Sequence, residues 1–121
     1  KGGRSMYSLT SANRYYLYLG FVRMNLGIDG LFKIIRSQMK ELSPISGDVF
    51  LFFGKNRQSV KILRWDGDGF LLYYKRLEGG SFELPTFTPH TGNYEISYQI
   101  LSFILNGVSL KSVWLRKCFM I

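Results

Sequence analysis

Basic residues are interleaved with aromatic ones in the middle of the chain, and both types are suited to holding a nucleic acid. Between positions 55 and 76 the sequence has six basic residues and only two acidic ones, Asp66 and Asp68. Lysine and arginine can contact phosphates, while aromatic rings can stack on bases. The sequence therefore predicts phosphate contact by at least part of this basic set, which comprises Lys55, Arg57, Lys61, Arg64, Lys75 and Arg76.

The aromatic residues of the same stretch have two possible roles. They could present a stacking surface to bases, or they could fill the core and leave the charges as a solvated rim. We favour the core, because large aromatic side chains bury much apolar area on folding. The residues concerned are Trp65, Phe70, Tyr73 and Tyr74.

Two aspartates in the turn Asp66-Gly67-Asp68-Gly69 could in principle ligate a metal ion. The calcium-loop pattern fails, since the position two residues beyond Asp68 is Phe70 and the position for the bidentate glutamate is Leu77. A metal-dependent nuclease would need a third carboxylate, for which Glu78 is the nearby candidate. Asp and Gly are also preferred in tight turns, so we favour a plain hairpin turn and predict no metal site.

Other sites are hard to build from this sequence. There is no GxxxxGK[ST] loop and no GxGxxG turn, so we predict no nucleotide cofactor. His90 and Cys118 are the only residues of their types, which excludes a zinc site made from them and leaves a nucleophilic pair as a remote alternative. A lone cysteine suits a reducing compartment, and no apolar run reaches the length of a membrane span. These features predict a cytoplasmic protein.

Hydrophobic periodicity predicts a series of strands and helices. Helical spacing of apolar residues is found over residues 28–42 and again from Tyr94 to the expected C-cap Gly107. Strand-like runs cover residues 15–19, 48–53, 59–65 and 70–75, with shorter candidates at 81–84 and 108–121 and a loop at 85–93. The three central runs are separated by turn residues and predict an antiparallel meander.

Both faces of the central sheet are expected to be apolar. In the runs 48–53 and 70–75 hydrophobic residues occupy consecutive positions, so neither face is polar. Such a sheet must be covered on both sides, closed into a barrel or pressed against a partner. The sequence predicts one α+β domain over residues 15–121, with a mainly antiparallel sheet that could close into a barrel, about two helices, and a polar lead at residues 1–14.

Length and composition agree with a single folded domain that has a polyanionic partner. The chain has 121 residues, of which 46% are hydrophobic and 20% are charged, so it has material for a core. Sixteen Lys and Arg against eight Asp and Glu give a formal net charge of +8. An excess of this size favours nucleic acid as the partner.

The stretch at residues 60–85 resembles a known family. Its residues VKILRWDGDGFLLYYKRLEGGSFELP match the pattern K-[IL]-L-x-W-[DE]-x-x-G-F-x-L-x-Y-K-R-L-E-x-G-x-F-x-x-P, typical of the TnpB accessory proteins encoded by the second reading frame of insertion sequence 66 elements. Further similarity upstream, at residues 16–18, 27–31 and 47–50, and downstream, at 96–98 and 106–107, extends the resemblance over most of the chain. The family usually reads T-D-M-R-K-G where residues 22–27 read VRMNLG.

This resemblance implies a protein that acts beside a separate transposase and another small accessory protein, with no established chemistry of its own. Our first hypothesis is a non-catalytic factor that binds DNA, such as the element ends, through Lys61, Arg64, Lys75 and Arg76, assisted by Arg57. The second is an adaptor whose apolar sheet docks the transposase or a second copy of the chain. The third is metal-dependent DNA cleavage through Asp66, Asp68 and Glu78.

Overall fold

The computed structural model describes residues 9–85 and 93–107, which form a five-stranded sheet with two helices. The elements follow the chain as β1 (Tyr15–Phe21), α1 (Ile28–Gln38), β2 (Val49–Phe53), β3 (Ser59–Trp65), β4 (Phe70–Arg76), β5 (Asn93–Ile96) and α2 (Tyr98–Leu105). This confirms the predicted α+β class.

The sheet has the strand order β4-β3-β2-β1-β5. The β2-β3-β4 meander is antiparallel throughout, and β5 is antiparallel to β1. The β1–β2 pair is parallel, because α1 carries the chain back across the sheet between these two strands. With β4 and β5 at its two edges the sheet is open, so the described strands do not form the barrel that the sequence allowed.

Alternation along the strands sends side chains into two separate hydrophobic clusters, one on each face of the sheet. Leu31 and Ile35 of α1 pack on one face with aromatic and aliphatic residues that include Phe50 and Phe52. The other face carries Leu51, Phe53 and their neighbours, which α2 covers with Ile100, Leu101 and Ile104. All five residues of β2 are buried, as expected for a central strand covered on both faces. The two helices thus cover both apolar faces of the sheet.

The first strand and the first helix differ from the prediction at their ends. β1 continues past Leu19 to Phe21, with a shift of register against β2 between Leu17 and Phe21. Gly20 lies within this irregularity, where a Cβ atom would stand 2.7 Å from the Tyr18 hydroxyl oxygen, so glycine permits the bend instead of ending the strand. α1 ends at Gln38 and not at Leu42, because Met39 leaves the helical conformation with φ −119° and ψ 56°.

The second helix also begins later than predicted. The sequence from Tyr94 was expected to be helical, yet residues up to Ile96 form β5 and pair with β1. The helix begins only after Ser97, whose Oγ accepts a hydrogen bond from the backbone N–H of Ile100 at 3.1 Å. The apolar spacing of residues 96–105 misled the prediction, because Ile96 from the strand and Ile100 from the helix reach the same cluster.

The prediction of a short strand at residues 81–84 is wrong. These residues have no regular structure, and Gly80 before them takes the left-handed φ of 74° that a turn needs. The segment is held by buried Phe82, which packs edge-on against Phe53 and whose N–H donates to the Arg57 carbonyl at 2.6 Å. The strand predicted at 108–121 lies outside the described residues, as does most of the loop predicted at 85–93.

The turn between β3 and β4 supports the prediction of a plain hairpin and provides a stability test. Gly67 has a φ of 89°, whereas Gly69 in the same turn is not in the left-handed region, and an added Cβ would meet nothing within 4 Å at either position. We expect Gly67→Ala to destabilise the fold by about 1 kcal/mol, since L-residues disfavour left-handed φ. Gly69→Ala is the matched control and should leave the urea midpoint nearly unchanged; equal losses would refute the backbone explanation.

Candidate nucleic-acid interface

One end of the sheet collects exposed basic side chains from three different parts of the chain. β1, β2 and β4 all run towards this end, and β3 starts there, because the register pairs Phe21 with Phe53 and Ser59 with Arg76. The connections that follow β1 and β2 therefore lie beside the end of β4. We call this region the basic end and define it by five exposed residues: Arg23, Lys55, Arg57, Lys75 and Arg76.

Backbone hydrogen bonds hold these segments against each other. The N–H of Val22, directly before Arg23, donates to the Phe53 carbonyl at 3.0 Å. On the far side, the N–H of Leu77 donates to the Gln58 carbonyl at 2.8 Å, which continues the β3–β4 pairing past Arg76. The backbone that carries the basic end is therefore held in place by the hydrogen bonds of the sheet.

Arg57 occupies the tip of the β2–β3 turn in an unusual conformation. Its φ of 59° lies in the left-handed region, and it is the single non-glycine residue with positive φ among those the structure describes. Its guanidinium lies over the ring of Phe21, with the guanidinium carbon 5.9 Å from the ring centroid. Phe21 is 50% exposed, so the pair presents a cation and a flat ring to solvent together.

Lys75 and Arg76 are neighbours in sequence but lie on opposite faces of the sheet. Lys75 pairs with Val60 on the α2 side, and its Nζ donates to the Leu105 carbonyl at the end of α2, at 3.0 Å. Arg76 is on the α1 side, where its side chain is 61% exposed and lies 3.7 Å from the Glu78 carboxylate. Both charges remain at the basic end because they sit at the last two positions of β4.

The other two predicted contact residues lie further along β3 and are only partly exposed, whereas Lys75 and Arg76 are exposed. Lys61 is half-buried; its Nζ donates to the Leu26 carbonyl at 2.6 Å and lies 5.5 Å from the Tyr74 ring centroid. Arg64 has a side chain only 16% exposed and forms an ion pair with Asp66 at 3.7 Å. The structure therefore brings Arg57, Lys75 and Arg76 to one end but separates Arg64 from them by the length of β3.

Arg23 is a basic residue that motif reasoning did not single out. It lines a shallow groove at the basic end between residues 22–24, which follow β1, and residues 54–56, which follow β2, so that Arg23 and Lys55 flank the same depression. The available signal was the segment at residues 22–27, where the chain departs from the expected T-D-M-R-K-G pattern. Only the parallel pairing of β1 and β2 shows that this segment adjoins the β2–β3 turn.

The aromatic residues divide between core and surface. Trp65 and Phe70 pack edge-to-face with centroids 5.0 Å apart, and Phe70 makes a similar contact with Phe32 of α1 at 5.9 Å. Tyr74, by contrast, is 53% exposed, and its hydroxyl lies 3.4 Å from the Ser59 Oγ. Packing therefore accounts for most of the aromatics, while Tyr74 joins Phe21 as a ring exposed near basic side chains.

The opposite end of the sheet carries three of the four aspartates. Asp66 and Asp68 are in the β3–β4 turn, and Asp48 precedes β2 at the same end. Glu78 follows β4, whose seven residues span roughly 23 Å, so it lies far from the two turn aspartates. The three carboxylates needed for the nuclease hypothesis are thus not brought together, and the described residues include no cluster of three or more His, Cys, Asp or Glu fit for a metal ion.

A buried tyrosine has the clearest change in acidity among the described residues. Burial raises the pKa of Tyr15 to about 12, helped by the nearby Tyr98. The Tyr15 hydroxyl donates to the Thr10 carbonyl at 2.7 Å. A tyrosine that holds its proton so firmly and already donates it to the backbone has a structural role and is unsuited to act as a base near neutral pH.

Neither of the two described helices could span a bilayer, as they have only 11 and 8 residues.

Comparison with known proteins identifies what the chain is similar to. A family model described as IS66 Orf2 like protein matches residues 13–114. An uncharacterized protein of Sinorhizobium fredii, y4hO, is 32% identical over 95 residues, which cover 78% of this chain and 80% of the relative. A second uncharacterized protein of the same strain, y4jC, is 36% identical over 59 residues, about half of each chain. No solved structure matches.

Proposed function

The chain belongs to the insertion sequence 66 Orf2-like family, which suggests an accessory role in transposition, and we propose that it binds DNA through its basic end without catalysing a reaction. The partners would be the ends of the mobile element, the transposase and the other accessory protein of the element. The observation that carries the proposal is the gathering of five exposed cations at one end of the sheet: Arg23, Lys55, Arg57, Lys75 and Arg76.

Separation of the charges gives this protein an electrostatic direction. The basic end holds five exposed cations, with Glu78, Glu83 and Asp29 of the first turn of α1 near them. At the opposite end Asp48, Asp66 and Asp68 lie beside Arg14 and Arg64, so the excess of positive charge is concentrated at the basic end. A field with this polarity would orient the basic end towards a polyanion during encounter. Each phosphate neutralised by a basic side chain releases counterions, which supplies affinity that decreases with salt.

Exposed rings beside the cations extend what this end could recognise. Phe21 lies under Arg57, and Tyr74 lies under Lys61, so each ring is paired with a positive charge. A base stacked on such a ring would have its phosphate close to the accompanying cation. The five contact residues predicted from the sequence would have different roles in this arrangement. Arg57, Lys75 and Arg76 would contact phosphates. Lys61 would support Tyr74, and Arg64 would stabilise the β3–β4 turn through Asp66.

The fold disfavours an adaptor that docks its partner on an apolar face of the sheet. Docking on an apolar face of the sheet would require α1 or α2 to leave, because both faces are occupied by the clusters that these helices complete. Removing that cover would expose much of the core and would be strongly unfavourable.

The test is binding of the whole chain to a labelled duplex that carries the terminal inverted repeat of an insertion sequence 66 element, against a scrambled duplex, over a salt series. With up to five phosphate contacts, the logarithm of the binding constant should fall with the logarithm of salt at a slope of about −4. Preference for the terminal repeat that survives near-physiological salt supports recognition of element ends. Equal affinities that vanish with salt would overturn it and would make the transposase the partner to test.

A further inference from the structure

The edge strand β4 has the features of an interface between two copies of this chain. Among the strands that the structure describes, β4 lies at an edge of the sheet, and it pairs with β3 over seven residues without a break in register. Its first five residues, FLLYY, contain no charge and no proline. Proteins usually protect a long edge strand by a bulge, a proline or a central charge, and β4 has none of these over that stretch.

The outward hydrogen-bonding groups of β4 can be assigned from the bonds at the two ends of the hairpin. The N–H of Asp66 donates to the Gly69 carbonyl at 2.7 Å, and the N–H of Leu77 donates to the Gln58 carbonyl at 2.8 Å. In an antiparallel pair the bonded positions alternate, so residues 71, 73 and 75 direct their backbone groups to β3. The backbone N–H and C=O groups of the alternate residues point to the open edge; these residues are Phe70, Leu72, Tyr74 and Arg76.

The charges at the two ends of β4 favour a second copy of this chain as the partner that pairs with this edge. The acidic turn with Asp66 and Asp68 precedes β4, and Lys75 and Arg76 end it. Ion pairs with Arg64 and Glu78 offset one charge at each end, which leaves a net negative charge at the start of the edge and a net positive charge at its end. An edge with this pattern is complementary to itself when the two strands run antiparallel, as they do about a two-fold axis perpendicular to the sheet. A parallel arrangement would place like charges together.

We propose that two copies pair through β4 in antiparallel orientation to form one continuous sheet. Full overlap of the seven residues puts the two-fold axis at Tyr73, with Leu72 opposite Tyr74 of the partner subunit. Arg76 then lies opposite Phe70 of the partner subunit and diagonal to Asp68 of the partner subunit, on the same face of the sheet. Side chains of β4 that are now only half-buried, including Leu71 and Leu72, would lose further contact with water.

A proline substitution tests the backbone pairing directly. Tyr74→Pro removes an N–H that points to the open edge and none that β3 needs, so the fold should persist while the dimer is lost. Sedimentation equilibrium of the whole chain without DNA is expected to give twice the mass of 14.0 kDa for the parent and one such mass for the variant. Tyr74→Val is the matched control, since it keeps the N–H and should remain dimeric; circular dichroism checks the fold of each.

A charge exchange tests the register. Asp68→Arg alone and Arg76→Asp alone each create a like-charge contact at both ends of the interface and should weaken dimerisation by about tenfold. The double variant restores opposite charges and should regain the parent affinity. A monomeric parent protein, a dimer that survives Tyr74→Pro, or a double variant as weak as the singles would overturn the proposal. Because no DNA is present, none of these results bears on the proposed DNA binding.

Discussion

Replacing Lys55 and Arg57 together by glutamine is expected to weaken binding to duplex DNA by about 10- to 30-fold at low salt. Both side chains are exposed in the β2–β3 turn at the basic end. Under the proposed function, each would neutralise one phosphate. Loss of two contacts should also make the salt slope shallower by about 2 units. Fluorescence anisotropy with a labelled duplex over a salt series measures both quantities.

α1 offers a closely matched control for this double variant. Lys33 and Arg36 are exposed, and the Arg36 guanidinium lies 5.8 Å from the Phe32 ring centroid, much as that of Arg57 lies 5.9 Å from the centroid of Phe21. Changing both residues to glutamine removes the same charge and a similar cation–ring contact. We expect this pair of changes to alter the salt slope by less than about half a unit. Equal losses from the two double variants would show that net charge, and not the basic end, governs binding.

Phe53→Ala should cause the largest loss of stability, about 3 to 5 kcal/mol. Phe53 is 1% exposed in the α2-side cluster and contacts Phe82 edge-on at a centroid distance of 5.6 Å. Removal of its ring leaves a cavity beneath α2 and frees the anchor that holds residues 81–85 across the sheet end. The unfolding midpoint should fall by more than about 10 °C, or by the equivalent amount in urea.

Phe21 is the register partner of Phe53 on β1 and provides the control. It is 50% exposed, so Phe21→Ala should reduce stability by less than about 1 kcal/mol while removing the ring under Arg57. Similar losses for the two substitutions would mean that Phe53 is not packed as the structure places it. The same Phe21 variant also reports on stacking, since a ring that contacts bases would change DNA affinity without changing stability.

Much of the fold could be predicted because its strands and helices carry strong local patterns. β3 begins and ends where its pattern predicted, at Ser59 and Trp65, and β2 and β4 each differ by one residue. Predictions failed at residues whose structure depends on partners far away in sequence. Ile96 pairs with β1, and Phe82 contacts Phe53 and donates a hydrogen bond to the Arg57 carbonyl. These contacts join residues far apart in sequence, which local periodicity does not register.

The candidate site could be predicted in composition but not in arrangement. The basic set was visible in the sequence, yet alternation along a strand places Lys75 and Arg76 on different faces, and internal partners occupy Lys61 and Arg64. Arg23 could not be added from the sequence, because its nearness to Lys55 depends on the parallel pairing of β1 with β2.

Residue types and local patterns were enough to predict the family, the α+β class, the excess of positive charge and the apolar character of both sheet faces. Three further features follow from the folded structure: α1 and α2 cover those faces, five cations gather at one end of the sheet, and β4 is an edge strand among the described strands. The reason is physical: local propensity and periodicity act over a few residues, whereas strand order and register arise from pairing between distant segments.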